Sequence, residues 1–241
     1  MDLSIVIPAY NESTRIKETL VSISRYFSSR PMSYEVIVVS DGSTDDTVSA
    51  INDIRKTISG VHVIDNKVNR GKGYAVACGM QKARGRLRIF MDADNATHID
   101  QIEKLLPYLS RTGSLEKADV LLGSIGVAGA QINKSEWWLR TILGRGGNLC
   151  IRTFLLPGIY DTQRGFKLFT QTAAEYIFPQ LTINRWGFDL EVLLLAKRGG
   201  YIIYEVPIQW THQAESKIRP SAYVQVLIDV IKLWWRFRAR T

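Results

Sequence analysis

Asp92-Ala93-Asp94 follows directly on the apolar run Leu87–Met91, so two carboxylates leave a buried segment almost together. Side chains on alternate residues of an extended segment point to opposite sides. Where a strand end bends into a loop, one carboxylate can ligate a cation directly and the other through water. Hard oxygens suit Mg²⁺ or Mn²⁺, especially where a diphosphate supplies the remaining ligands. Taken alone, the tripeptide is better read as acidic residues that end a strand and cap the next helix, because matches to so short a motif arise often by chance. Two further segments repeat the theme. Val38-Val39-Ser40-Asp41-Gly42-Ser43 leaves an apolar run with an Asp, and Ile7-Pro8-Ala9-Tyr10-Asn11-Glu12 leaves one with polar groups. Between them falls Asn69-Arg70-Gly71-Lys72-Gly73, glycine-rich and basic, ahead of a helical segment whose N-terminus would help hold phosphate. It matches neither the Walker spacing nor the G-x-G-x-x-G fingerprint.

The elements that must carry these groups are legible from periodicity. Leu3–Ile7, Glu35–Val39, Val61–Ile64, Leu87–Met91 and Val120–Leu122 read as strands, and the second is almost wholly apolar, as in a buried parallel sheet. Ile16, Leu20, Ile23 and Phe27 lie at helical spacing, as do Val48, Ile51, Ile54 and Ile58. Ser43 is the expected cap of the second of these helices, with Asp45 and Asp46 in its first turn. Residues 72–83 read as a small-residue helix, and Ile99, Ile102, Leu105, Leu106 and Leu109 mark another. Strands alternating with helices indicate an α/β fold with a mainly parallel sheet, which takes ligands beyond the carboxyl ends of its strands. Beyond residue 125 the alternation breaks. Residues 126–134 read as a loop, 135–156 as helical, 157–169 as turn and strand, 170–178 and 187–198 as helices, Tyr201–Val206 as a last strand, and the rest to Pro220 as a long loop.

Composition limits what this scaffold can be. The 241 residues are 46% hydrophobic and 22% charged, which excludes general disorder. Two cysteines, Cys78 and Cys150, exclude a disulfide framework and fit a reducing compartment. Three histidines without ligand spacing argue against zinc. No apolar run approaches the ~20 residues of a bilayer-spanning helix, and the first residues read as a strand, not a signal peptide. The net charge of +8 is unevenly placed: residues 1–131 carry 16 basic and 15 acidic side chains, residues 132–241 carry 15 and 8. The basic half suits phosphates or an anionic surface. Nucleic acid is not an expected partner, because no recognisable binding module accompanies the charge.

In their order and spacing, Pro8-Ala9-Tyr10-Asn11-Glu12, Asp41-Gly42-Ser43-Thr44-Asp45 and Asp92-Ala93-Asp94 resemble glycosyltransferase family 2 with a GT-A fold. Asn69–Gly73, Ala83-Arg84-Gly85, Asp161–Lys167, Arg185–Glu191, Trp210 and Ser216-Lys217 resemble blocks of its dolichyl-phosphate β-glucosyltransferase and polyprenyl-phosphate glycosyltransferase subgroup. The likeness covers almost the whole chain. It departs from the subgroup at Arg164, where Cys is usual, and at Asn95, where Gly is usual. Ala96 stands where the mannosyl-transferring relatives carry Gln, which argues against GDP-mannose.

The resemblance implies one GT-A domain: a nucleotide-sugar half (1–125), an acceptor-side half (126–219) and a C-terminal amphipathic helix (220–241). It implies an inverting transfer of a hexose, glucose from UDP-glucose, to a polyprenyl phosphate, with another donor or a saccharide acceptor as the alternative. Pro8, Ala9, Tyr10, Glu12 and Asp41 would line the base and ribose site. Asp92 and Asp94 would position ribose and diphosphate-bound Mg²⁺ or Mn²⁺, assisted by Arg70 and Lys72. Asp189 and Glu191, two apart on a helix, do not share a face, so at most one of them points into the site as a general base, and Asp189 is the one favoured. Arg145, Gln163, Lys167, Ser216 and Lys217 would meet acceptor phosphate, donor diphosphate or sugar. At the C-terminus, Tyr223, Val226, Leu227, Val230, Ile231 and Trp234 share a helical face ahead of an aromatic and basic end, which suits a helix lying in an anionic interface or docked on the sheet. The expected location is the cytoplasmic face of a membrane, peripherally bound.

Overall fold

A computed structural model describes residues 1–109, 117–133, 151, 155–213 and 220–238, the last segment with side chains from residue 225 onward. The expected helix over 135–156 and the expected site residues Arg145, Ser216 and Lys217 lie outside the described residues.

The strands are β1 (Leu3–Ala9), β2 (Tyr34–Asp41), β3 (Val61–Asn66), β4 (Leu87–Met91), β5 (Val120–Ser124), β6 (Gln131–Asn133), β7 (Phe166–Thr170), β8 (Ile203–Pro207) and β9 (Gln209–Thr211). The helices are α1 (Ile16–Phe27), α2 (Thr47–Ile54), α3 (Lys72–Lys82), α4 (Ile102–Leu105), α5 (Gln171–Ile177), α6 (Phe188–Arg198) and α7 (Pro220–Arg238). Seven strands form one sheet in the order β3-β2-β1-β4-β7-β5-β8. All neighbours run parallel except β7, which is antiparallel to both β4 and β5. Apolar side chains leave both faces of the central strands. Those on one face pack with α1, α2 and α4, those on the other with α3, α5, α6 and α7. The sheet is therefore buried on both sides, which explains why β1 and β2 read as continuous apolar runs instead of alternating ones.

Two features of the order place the site. The chain moves outward from β1 to β3, then returns to the other side of β1 as β4. That reversal leaves a crevice at the carboxyl ends of β1 and β4. The antiparallel β7 then begins where β4 ends, with Met91 opposite Phe166 and Phe90 opposite Lys167. A segment distant in sequence is thus delivered to the same edge.

Three expectations need correcting. The segment 126–134 and the long loop after β8 each contain a strand, and β6 and β9 pair in parallel as a separate two-stranded sheet. Strands of three residues are too short to show a period of two. Ser43 does not cap α2. Its Oγ instead accepts from Asn11 N at 3.2 Å, and Asp45 Oδ1 takes the Thr47 N–H at 3.0 Å. The apolar face expected on α7 is split. Leu233 is buried and Val226, Val230, Trp234 and Phe237 pack on the core, whereas Leu227 and Ile231 are exposed. Asp229 occupies part of the inward face, 3% exposed, and this rotates the helix away from the purely apolar solution.

α7 is held to the body by Glu191. This carboxylate is fully buried and accepts from Thr182 N, Thr182 Oγ1 and Ile183 N at 2.8–3.1 Å, and from Arg236 Nη1 of α7. Glu191→Ala strips that set and leaves the partly buried N–H groups of Thr182 and Ile183 without their acceptor. The expected cost is about 3 kcal/mol, read as a lower midpoint in denaturant unfolding. A loss below about 0.5 kcal/mol contradicts the clamp.

Candidate active site

The site is assembled at the carboxyl edge from β1, β2, β4, the start of α3, the start of β7 and the start of α6. The loops after β1 and β2 are stitched into one rim. Asn11 Oδ1 accepts from Thr44 N at 2.8 Å, Glu12 N donates to Thr47 Oγ1 at 2.7 Å, and Ser13 N donates to Asp45 Oδ2 at 3.2 Å. Burial pushes the Asp45 carboxyl up, but hydrogen bonds from Thr47 and Ser13 outweigh it and hold the group at about 2. Asn11 adopts φ +55°, a left-handed conformation that Asn tolerates, and the chain turns sharply there. Pro8 and Ala9 end β1 beneath this rim, Tyr10 is exposed on it, and Glu12 pairs with Arg15 at 2.7 Å.

Asp41 is buried. Its Oδ1 accepts from Arg70 N at 3.0 Å and its Oδ2 from Gly71 N at 2.7 Å. Gly71 has φ +114°, and a Cβ there would fall 2.5 Å from Asn184 O, so this turn requires glycine. Tyr74 N is taken by Asn184 O at 3.0 Å. The N–H groups of Arg70, Gly71 and Tyr74 are thus taken by the protein's own Asp41 and Asn184. α3 also contributes the Lys72 side chain.

Lys72 Nζ lies 2.5 Å from Asp92 Oδ1 and 5.6 Å from the Trp186 ring centroid. Asp92 N is bonded to Gly165 O at 3.1 Å. A Cβ on Gly165 would sit 2.2 Å from Asp92 Oδ2, so glycine is needed for β7 to pass this carboxylate. Asp94 Oδ1 accepts from Ala96 N at 3.0 Å. Burial first, and then the charge of Asp92, hold the Asp94 carboxyl above its ordinary range. Asn95, where glycine is usual in the family, has φ +58° and so keeps the left-handed turn. Thr19 Oγ1 fixes the loop from below by donating to Ala93 O at 2.7 Å.

A buried ion pair lies alongside. Lys167 is fully buried, and its Nζ reaches Asp189 Oδ1 and Arg164 O at 2.6 and 2.5 Å. Burial raises the Asp189 pKa, and the charges of Lys167 and Lys72 only partly offset it. For Lys72, burial works against the charged form, but Asp92 and Asp189 outweigh it and raise its pKa. Asp189 and Glu191 diverge as their spacing requires: the first joins this cluster, the second clamps the 182–183 segment. Gln163 is exposed on the loop before β7, and Arg164 stacks on Trp210, its guanidinium carbon 4.3 Å from the ring centroid. The Ala83-Arg84-Gly85 block is remote: Arg84 N and Gly85 N bond Glu35 and Ser4 at the opposite sheet edge. Sequence reasoning gave Gly165, Asn184 and Trp186 no role of their own; a glycine abutting the acidic motif leaves no local signal.

Two hard carboxylates, one with its pKa raised by burial and by its neighbour's charge, form a donor set that fits a divalent cation. No third His, Cys, Asp or Glu joins them among the described residues. The remaining ligands would have to come from a bound diphosphate and water.

A doubly wound sheet with this acidic strand end defines a nucleotide-diphospho-sugar transferase fold. The glycosyl transferase family 2 profile matches residues 4–178. The chain belongs to that family. It is 37% identical over 246 residues to a dolichyl-phosphate beta-glucosyltransferase of Drosophila melanogaster, covering 98% of this chain and 76% of the relative. It is 36% identical over 244 residues to that of Saccharomyces cerevisiae (96% and 71%), and 35% identical over 241 residues to one of Trichomonas vaginalis (98% and 72%). Among solved structures, glucosyl-3-phosphoglycerate synthase of Mycobacterium tuberculosis with Mn²⁺, UDP-glucose and phosphoglyceric acid shares the fold. Its TM-score is 0.71 at 17% identity, over 97% of this chain and 80% of that one.

Gly165→Ala is expected to displace Asp92 by about the width of the clash. A misplacement near 1 Å costs about 10²-fold in rate. Turnover of nucleotide sugar should fall by that order while the thermal midpoint changes little. Unchanged turnover contradicts the close approach.

Proposed function

We propose that the chain transfers glucose from UDP-glucose to a polyprenyl phosphate of the dolichyl type, with inversion, at a membrane surface. The observation that carries this reading is the convergence of Lys72, Asp92, Asp94, Lys167 and Asp189 at the crevice between β1 and β4. Support for the acceptor and the sugar comes from the relatives, named dolichyl-phosphate beta-glucosyltransferases, that match along 96–98% of the chain. Support for the donor's nucleotide comes from the fold neighbour solved with UDP-glucose.

In this reading residues 1–125 hold the donor. Pro8, Ala9, Tyr10 and Glu12 form the wall against base and ribose. Asp41 acts through the loop it holds, fixing Arg70 and Lys72, and its remaining lone pairs face the nucleoside. Asp92 and Asp94 would hold Mg²⁺ or Mn²⁺, which would supply neutralisation of charge on the leaving diphosphate. Lys72 exchanges part of its contact with Asp92 for a diphosphate oxygen, so the cluster opens to the donor without leaving a charge unpaired. Residues 126–219 face the acceptor, with Gln163, Arg145, Ser216 and Lys217 as contacts for sugar and phosphate.

Inversion requires the acceptor oxygen to approach opposite the leaving group. Asp189 is the carboxylate placed to receive or orient it, and Lys167, buried on Asp189, is a positioning residue and not a surface phosphate ligand. A phosphate monoester has its second pKa near ~6, so it is largely dianionic at neutral pH. Asp189 then has little proton to remove, and its main work is orientation. A carboxyl with a raised pKa is protonated over more of the acidic range. Loss of its base form therefore begins at a higher pH than for an ordinary Asp, and the rate falls as pH drops through that value.

Among the described residues no helix is long and apolar enough to cross a membrane. α7 instead shows Leu227, Ile228, Ile231 and Trp235, 44–67% exposed, as a stripe beside basic residues. A long isoprenoid acceptor needs such contact with the interface.

The test is transfer itself. Protein is incubated with polyprenyl phosphate in detergent, a panel of UDP- and GDP-sugars, and Mg²⁺ or Mn²⁺, with chelator controls and detection by mass spectrometry. A glucosyl lipid from UDP-glucose, lost on chelation and reduced by at least ~10²-fold in Asp94→Ala, is the expected result. Asp189→Asn should lower kcat while an acid limb near ~6, set by the acceptor phosphate, survives. Nucleotide-sugar binding without any lipid product overturns the acceptor assignment.

A further inference from the structure

A second polar cavity lies away from the carboxylates. It has a volume of about 400 Å³ and is bounded by the loop before α3, the 182–185 segment and one flank of α7. Its charged lining is Arg70, Arg185, Lys232, Arg236 and Asp229. Two of the cations are engaged: Arg236 with Glu191, and Arg70 with the Tyr74 hydroxyl and ring. Arg185 and Lys232 form no salt bridge among the described residues. Asp229 is 3% exposed, and its Oδ1 accepts from Gln225 at 3.1 Å. Its Oδ2 is buried against Gly187 and has no hydrogen-bond partner among the described residues. A buried carboxylate oxygen without a donor is costly and persists where a ligand or solvent supplies one.

This lining calls for a particular chemistry. Arg185 and Lys232 ask for a phosphate, and Asp229 Oδ2 beside them asks for a hydroxyl donor. A phosphate ester carrying hydroxyl groups meets both demands. The surroundings identify its source. Lys232 follows the exposed Ile231 directly and lies one turn from Ile228, so the cavity's edge adjoins the apolar stripe Leu227, Ile228, Ile231 and Trp235. A headgroup seated there would have its acyl chains beside exposed apolar surface. The cavity is not the donor site. Arg70 lines it, whereas Lys72 two residues on reaches Asp92, with Asn184–Trp186 forming the wall between.

We propose that this cavity is a headgroup site for an anionic phospholipid whose headgroup carries hydroxyls, seated beside α7 and separate from both substrates. It rests on the reading that the protein works at a membrane surface. It gives that contact a stoichiometric site in place of diffuse attraction.

The probe is phosphatidylglycerol. The full chain is sedimented with vesicles of phosphatidylcholine alone, with added phosphatidylglycerol, and with phosphatidylserine at equal charge. Wild type is compared with R185Q/K232Q and with R198Q/R238Q, which removes the same charge from exposed positions on the same layer. The double variant of the cavity should lose roughly tenfold or more in affinity for phosphatidylglycerol vesicles, and its preference over phosphatidylserine. R198Q/R238Q should keep that preference. Transfer to a short, water-soluble polyprenyl phosphate should be the same in wild type, in K232Q and in R198Q/R238Q. Equal losses in both doubles would mean diffuse charge, which overturns the site and leaves membrane contact standing. No binding of wild type to anionic vesicles overturns the site together with the membrane reading. Saturable binding of free glycerol phosphate that needs Arg185 and Lys232, without any effect on vesicles, assigns the cavity to a soluble phosphate and overturns the lipid. Loss of transfer to the soluble acceptor in K232Q places the cavity in the substrate site and overturns its separateness.

Discussion

The Lys167–Asp189 ion pair is the constraint on which the rest of the site depends. Both partners are almost fully buried, and taking two charges out of water is expensive unless their contact and hydrogen bonds are well formed. The pair joins β7 to the start of α6. β7 must therefore lie antiparallel beside β4, with Lys167 level with Phe90 and Gly165 against Asp92. α6 must begin where its first turn meets the sheet edge. Once these are fixed, Lys72 on α3 is drawn to Asp92, and two lysines face three carboxylates, with Asp94 the acid that no lysine pairs among the described residues. A cluster of this kind costs stability at a place where apolar packing would do as well. Its retention fits a site whose charges are regrouped around a ligand.

A second layer of constraint works through backbone donors. Asp41 takes the N–H groups of Arg70 and Gly71 just before α3, and Asn184 O takes that of Tyr74 in its first turn. These bonds hold the Arg70–Lys72 turn in place. Glu191 performs the equivalent service for the 182–183 segment and extends it to α7 through Arg236. The crevice, the wall at Asn184–Trp186 and the C-terminal helix are thus mechanically continuous.

Much of this was legible in the chain itself. The strands β1 to β5 and the helices α1 to α3 announce themselves by apolar runs and helical spacing, because a sheet covered on both faces leaves little freedom in residue type. The acidic motif and the Asn69–Gly73 turn were visible as polar groups after strands. What could not be read was tertiary. Nothing local tells that Asp41 faces the backbone of Arg70 and Gly71, or that Gly165 must be small because Asp92 lies against it. The roles of Asp189 and Glu191 separate by helical geometry, yet only the packing of β7 shows which of them meets a lysine. The orientation of α7 turned on Asp229, an ionisable residue on a buried face, which periodicity of apolar residues misplaces. The short strands β6 and β9 carry too few residues to show any period.

The most direct measurement is a double-mutant cycle on Lys167 and Asp189, with stability and transfer read on each protein. Lys167→Met alone should cost about 3–5 kcal/mol, because it strands a buried carboxylate, and Asp189→Leu alone should be similarly costly. The double variant K167M/D189L should recover much of that stability while remaining without transfer activity, since the charged group that meets the acceptor is gone. Additive losses in stability, or transfer that survives in the double variant, would contradict the claim that this pair both builds the site and works in it.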